Sequence, residues 1–147
     1  MEASKLTASS IINFAEKLED DSSAFYEKLA RRYGENKETF LSFSEESRKN
    51  KVLVIRTYRE TITDALEACF SFETLNLNNY KIKTELAEDA SLSDALKSAI
   101  KLEENASKFY SDVAEQCKFL LATIPRAFQR VSEKRTARKK TLESLLH

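Results

Sequence analysis

The sequence predicts an all-α protein: a four-helix bundle built from two helix pairs joined by a long crossover. Three observations carry that expectation. The chain of 147 residues contains one Gly and one Pro, and 33% of its residues are charged. So few breakers leave little room for hairpin turns, and so much charge suits long amphipathic helices. Apolar residues also recur at spacings of three and four along four segments. Finally, one stretch occurs twice. Leu18-Glu19-Asp20-Asp21-Ser22-Ser23-Ala24-Phe25-Tyr26 aligns without a gap onto Leu102-Glu103-Glu104-Asn105-Ala106-Ser107-Lys108-Phe109-Tyr110, at an offset of 84 residues.

The first helix is expected over about 8–33. Hydroxyl side chains from Thr7 to Ser10 are available to cap its free amides, and Gly34 offers a C-terminal stop. Its inner stripe runs through Ile11 or Ile12, Ala15, Leu18, Ser22, Phe25 or Tyr26, Leu29 and Tyr33. The second is expected over about 37–70, carrying Phe40, Phe43, Leu53, Val54, Tyr58, Ile62, Ala65 and Cys69, with no breaker between Lys37 and Phe70. Between Phe70 and Leu92 the periodicity weakens. Asn76, Asn78 and Asn79 favour turns, and Leu75, Leu77, Tyr80 and Ile82 suit an extended run along a surface. A connection this long needs a reason. A crossover along the bundle supplies one, with a short helix expected near Thr84 to Asp89, and it lets the second and third helices run parallel. The third helix is expected over about 92–118, capped at Ser91 or Ser93, with the stripe Ala95, Ala99, Leu102, Ala106, Phe109 or Tyr110, Val113 and Cys117. The fourth, about 123–146, holds Pro125 in its first turn, where a missing N–H is harmless. Phe128, Val131, Leu142 and Leu145 line one side of it.

Composition narrows the function. The formal net charge is zero, so no global field draws the chain to nucleic acid or to a membrane surface. No apolar run approaches the roughly 20 residues of a membrane span, and Met1 to Thr7 lacks the order of a signal peptide. The expectation is a cytoplasmic protein. Two cysteines, Cys69 and Cys117, form neither a CxxC motif nor a disulfide framework and are expected as buried free thiols. There is no phosphate loop and no nucleophile–histidine pair.

The repeat puts Glu19 and Glu103 on apolar helical stripes, each seven residues before a Tyr. Phe40-Leu41-Ser42-Phe43-Ser44-Glu45-Glu46-Ser47-Arg48-Lys49 and Phe128-Gln129-Arg130-Val131-Ser132-Glu133-Lys134-Arg135-Thr136-Ala137 share the form Phe-x-x-apolar-small. Across nearly the whole chain this resembles the rubrerythrin branch of the ferritin-like superfamily. In that family each half supplies one Glu from its first helix and a Glu-x-x-His from its second, which together bind two irons. The resemblance implies peroxide reduction or Fe(II) oxidation, with Glu19, Glu103 and Glu46 as the retained iron or manganese ligands. It also places Lys49 at one His position, Lys134 at the second-half Glu and Ala137 at the other His. The single histidine, His147, is the last residue and cannot stand in. These 147 residues also hold only two cysteines, too few for the Cys-rich module of full-length rubrerythrins.

Two readings lead at this point, with a small-molecule binder that uses the polar central cavity as a third. In the first, the di-iron site is lost: Glu19, Glu46 and Glu103 are matched by the ammonium groups of Lys49 and Lys134, because buried carboxylates need opposite charge. The protein is then a non-catalytic scaffold or interaction protein, expected as a homodimer or with another protein partner through aromatics of the second helix or the crossover. In the second, the three carboxylates hold a hard cation such as Mn²⁺ or Mg²⁺, and the chain is a metal-binding oxidoreductase or iron-handling protein with altered ligands. Tyr26 and Tyr110 are expected in the core with satisfied hydroxyls. The basic run Lys134, Arg135, Arg138, Lys139, Lys140 is expected as a solvated face.

Overall fold

The computed structural model describes residues 8–60, 76–117 and 123–146, and the regular structure within them is all helical, with no strand. Four helices carry the fold: α1 (Ala8–Arg32), α2 (Lys37–Arg59), α3 (Leu92–Cys117) and α4 (Thr123–Leu146). None of them is long and apolar enough to cross a membrane.

Their boundaries follow from local chemistry. Helix α3 opens on a reciprocal capping box. The Asp94 N–H donates to Ser91 Oγ at 3.1 Å, and the Ser91 N–H donates to Asp94 Oδ2 at 3.3 Å. Two amides that helix geometry leaves without partners are thereby satisfied. In α4, Pro125 sits in the first turn as its missing N–H requires, and the remainder is rich in the strong helix formers Arg, Lys, Ala, Leu and Glu. Helix α1 closes with the Tyr33 N–H on the Leu29 carbonyl at 2.8 Å, and Arg31 and Arg32 in its last turn suit the macrodipole.

Helix α1 stops just before Gly34, as expected. Gly34 opens a 3₁₀ turn, Gly34–Asn36, and does not adopt positive φ, so the stop is made without a left-handed glycine cap. The second helix is also shorter in its described part than the sequence suggested. It stops at Arg59, with the Glu60 N–H on the Arg56 carbonyl at 3.0 Å. Ile62, Ala65, Cys69 and the rest of 61–75 lie outside the described residues, as does the side chain of Cys117. No helix forms near Thr84 to Asp89. A 3₁₀ turn, Leu77–Tyr80, comes earlier, opened by Asn76 Oδ1 accepting from the Asn78 N–H at 3.0 Å.

From Lys81 the chain runs extended along α1 and α3. Asn105 Nδ2 donates to the Lys81 carbonyl at 3.0 Å, Lys28 Nζ to that of Thr84 at 2.8 Å, and the Tyr33 hydroxyl to that of Ala90 at 2.6 Å. Side chains of two helices thus satisfy a backbone that has no ladder of its own.

The helix directions can be read from paired contacts. Asp20 meets Lys51 and Ser9 meets Tyr58, so α2 runs antiparallel to α1. Tyr26 meets Glu103 and Tyr110 meets Glu19, so α3 is antiparallel to α1 as well. Glu104 meets Lys139 and Ser107 meets Ser132, so α4 returns antiparallel to α3.

The core is divided. One apolar cluster gathers Ile11, Ala15, Leu18, Val54, Phe109, Phe128 and Val131; the other gathers Phe25, Leu29, Phe40, Ala99, Leu102 and Leu142. On every helix the residues between these two sets are polar and buried: Glu19 and Ser22, Ser47 and Asn50, Glu103, Arg135 and Arg138. A charged layer crosses the middle of the bundle.

Candidate functional site

The site is that layer, and the sequence repeat explains its shape. Glu19 and Glu103 sit on apolar stripes because each is the inward position one turn from Ala15 or Ala99 and from Ser22 or Ala106. Antiparallel packing then makes each tyrosine of the repeat reach the glutamate of the other copy. The Tyr26 hydroxyl donates to Glu103 Oε2 at 2.5 Å, and the Tyr110 hydroxyl donates to Glu19 Oε2 at 2.5 Å. The same symmetry continues outward. Ser23 pairs with Ser44 at 2.8 Å in the first half, and Ser107 with Ser132 at 3.2 Å in the second. Tyr26 stacks near Phe40, and Tyr110 meets Phe128 edge-on.

Both tyrosines match the expectation of a core residue with a satisfied hydroxyl. Burial raises their pKa values well above the ordinary phenol range, and the adjacent carboxylate pushes each further, with the nearby guanidinium groups only partly offsetting it. They are neutral donors to ionised acceptors, a strong class of hydrogen bond.

Two arginines of α4 complete the centre. Arg135 is fully buried and spans both carboxylates: Nη2 donates to Glu19 Oε1 at 2.6 Å, and Nη1 to Glu103 Oε1 and Oε2 at 3.0 Å each. Its Nη2 also donates to Ser22 Oγ at 3.1 Å. Burial works against the guanidinium charge, but Glu103 and Glu19 outweigh it, and the Arg135 pKa rises well above its ordinary value. Arg138 lies one turn further along. Its Nε donates to Glu46 Oε1 at 2.6 Å, and its Nη1 to Ser47 Oγ at 2.9 Å, with a longer approach of 3.5 Å to Glu103 Oε2. Its guanidinium also faces the Tyr26 and Phe43 rings, at 5.9 and 5.6 Å from their centroids.

The expected cations were the wrong ones. Lys49 is exposed, Lys134 is half-buried and enters no ion pair among the described residues, and Ala137 is exposed. The reason is angular. A residue six positions after Phe40 or Phe128 is turned well away from the phenylalanine's face, whereas one seven positions after returns to it. The inward positions are therefore Ser47 and Asn50 on α2, Arg135 and Arg138 on α4. Glu46, expected in the interior, sits at the rim with its side chain 34% exposed and joins the network through Arg138. Nor do Arg135 and Arg138 belong to a solvated basic face, since their side chains are 0% and 2% exposed. The signal was present in the α4 stripe, where Phe128, Val131, Leu142 and Leu145 leave a gap that 135 and 138 fill at the same spacing.

The aromatics of α2 are likewise not an exposed patch. Phe40 is buried, and Phe43 and Tyr58 are half-buried against the core. Among the described residues, the large apolar side chains that are exposed are Leu41 and Val52.

A metal fits this donor set poorly. The oxygens of Glu19 and Glu103 already accept from Arg135, and two buried guanidinium groups stand beside them, which repels a further cation. Among the described residues, no three His, Cys, Asp or Glu side chains are grouped so as to hold a metal ion. Chemically, the layer is a buried charge-balanced network: two carboxylates and two guanidinium groups inside, with Glu46 at the rim.

Comparison of the chain with family models, with curated proteins and with solved structures yields no match.

Proposed function

We propose that this chain is a ferritin-like bundle of the rubrerythrin type in which arginines have taken over the place of the metals, and that it works as a non-catalytic scaffold or interaction protein. The observation that carries this reading is Arg135, whose two terminal nitrogens each hold one of the repeat-related glutamates. Carboxylates placed this way match the inward glutamates of di-iron bundles. Here their charge is neutralised by the protein's own side chains. Two further observations support the descent: the internal repeat, and the antiparallel packing of both α2 and α3 on α1, which suits a crossover between the halves.

A network of this kind adds little stability over an apolar core, but it penalises any packing that separates its partners. That property suits a scaffold, whose surface must stay in one arrangement. Its action would then lie on the outside of the bundle, through self-pairing or a protein partner.

The test is elemental analysis of untagged protein after anaerobic loading with Fe(II) and Mn(II), together with its melting temperature. The reading expects metal far below one equivalent and an unchanged Tm. Near-stoichiometric metal that disappears in a Glu19→Ala/Glu103→Ala double variant would overturn it. Sedimentation velocity at micromolar concentration then separates self-pairing from a need for another partner.

A further inference from the structure

The buried polar layer leaves four side-chain atoms without partners among the described residues: Arg135 Nε, Arg138 Nη2, and both Nδ2 and Oδ1 of Asn50. All three side chains belong to the buried layer; Asn50 and Arg135 are 0% exposed and Arg138 is 2% exposed. Leaving one such group unsatisfied is costly, and four in one layer of a native core is a concentration that calls for an explanation.

The four atoms belong to facing helix positions. Arg138 meets Ser47 at 2.9 Å, which fixes the level of α4 against α2. The two helices run antiparallel, because α2 opposes α1, α1 opposes α3 and α3 opposes α4. One turn back from Arg138 is Arg135, and one turn on from Ser47 is Asn50, so Asn50 and Arg135 share a level. The residues that carry the orphaned atoms thus occupy matching levels of α2 and α4 over two consecutive turns.

Their chemistry selects an occupant. Arg135 Nε–H, Arg138 Nη2 and Asn50 Nδ2 are donors; Asn50 Oδ1 is an acceptor. Three donor groups against one acceptor call for a small molecule that accepts well and donates once or twice. Charge decides between a neutral molecule and an anion. Glu19 and Glu103 already balance Arg135 and Arg138, and Glu46 adds a negative charge at the rim. An anion would place further uncompensated negative charge in the interior.

We infer that Asn50, Arg135 and Arg138 form a buried binding site for a neutral hydrogen-bonding molecule of water size. Water has the required two acceptor sites and two donors, and buried waters characteristically bridge polar groups of this kind. Asn50 is the residue that makes the site: no ion pair uses it, and it supplies the site's one acceptor. The inference rests on these orphaned atoms and not on the proposed descent, so it stands or falls separately from the metal-loading result.

Two measurements test it. A crystal structure of the unmodified chain grown from bromide should show an ordered molecule within hydrogen-bonding distance of Asn50 and at least one of the two arginines, with no bromine anomalous signal there. A site empty of density, or one holding bromide, would overturn the inference. In solution, oxygen-17 magnetic relaxation dispersion should detect long-lived internal water in the unmodified chain, and Asn50→Leu should lose part of that amplitude while remaining helical. Should Asn50→Leu keep the full amplitude with a raised Tm, the asparagine was merely unsatisfied and the site does not exist. If Asn50→Leu does not fold, the crystal structure of the unmodified chain decides: an ordered molecule beside Asn50 supports the site, and its absence overturns it.

Discussion

Arg135 Nη2 lies 2.6 Å from Glu19 Oε1 with neither side chain exposed, an ion pair closed across 116 residues of chain. Glu103 completes the clamp on the other terminal nitrogen at 3.0 Å. Everything distinctive in the interior depends on this contact, because without it two carboxylates would be buried against each other.

Arg135→Met is therefore expected to destabilise the bundle by about 3–5 kcal/mol, the range for breaking a buried pair by removing one partner. Urea unfolding measures it. Adding Glu19→Gln and Glu103→Gln to Arg135→Met should recover much of the loss, since the stranded charges are then gone. Lys134→Ala, one position away, half-buried and in no ion pair among the described residues, should stay within about 0.5 kcal/mol of the unmodified chain.

The tyrosine–glutamate bonds make a matched pair of tests. Tyr26→Phe and Tyr110→Phe each remove a buried donor to a carboxylate, and each should cost about 1.5–3 kcal/mol. Because Arg135 joins Glu19 to Glu103, the two effects should not add; a double-mutant cycle reads the coupling.

Alkaline pH should unfold the protein early. Tyr26 and Tyr110 have pKa values raised well above the ordinary phenol value of about 10, by burial first and by their glutamate partners second. Above that value the unfolded chain has released protons that the native state still binds. Stability is then fully present below about pH 10 and falls as pH rises, by about 1.4 kcal/mol per pH unit for each tyrosine. Phenolate absorbance from these two residues should appear only with loss of helicity. In the Tyr26→Phe/Tyr110→Phe variant the fall in stability with pH should be shallower.

Gly34→Ala should stabilise the chain by about 0.4–1 kcal/mol. The glycine does not use positive φ, and a Cβ built there meets nothing within 4 Å. The gain comes from the unfolded state, which loses conformational freedom, and thermal unfolding should show it.

The proposed descent carries its own test. Ser47→Glu, Asn50→His, Arg135→Glu and Arg138→His together would place an inward Glu-x-x-His on α2 and on α4, facing Glu19 and Glu103. That variant should take up divalent metal, and Mn(II) titration followed by electron paramagnetic resonance checks it. Restoring either arginine alone should lower the uptake.

The four helical segments were legible from sequence because each rests on short-range facts. Apolar spacing, Ser91 as a cap, Pro125 in a first turn and the scarcity of glycine all act within a few residues of themselves. The inward place of Glu19, Glu103, Tyr26 and Tyr110 was legible as well, since the repeat displayed each of them twice on the same stripe. Even the need for cations among the carboxylates followed from electrostatics alone.

Which cations answered that need was settled only by the tertiary structure. An arginine in a basic run reads as solvated unless its partners are known, and the partners of Arg135 and Arg138 lie on α1, α2 and α3. Sequence spacing fixes which way a side chain points along its own helix. It says nothing of the charge waiting on the helix opposite, and that charge decides whether an arginine is held in the core or left in water.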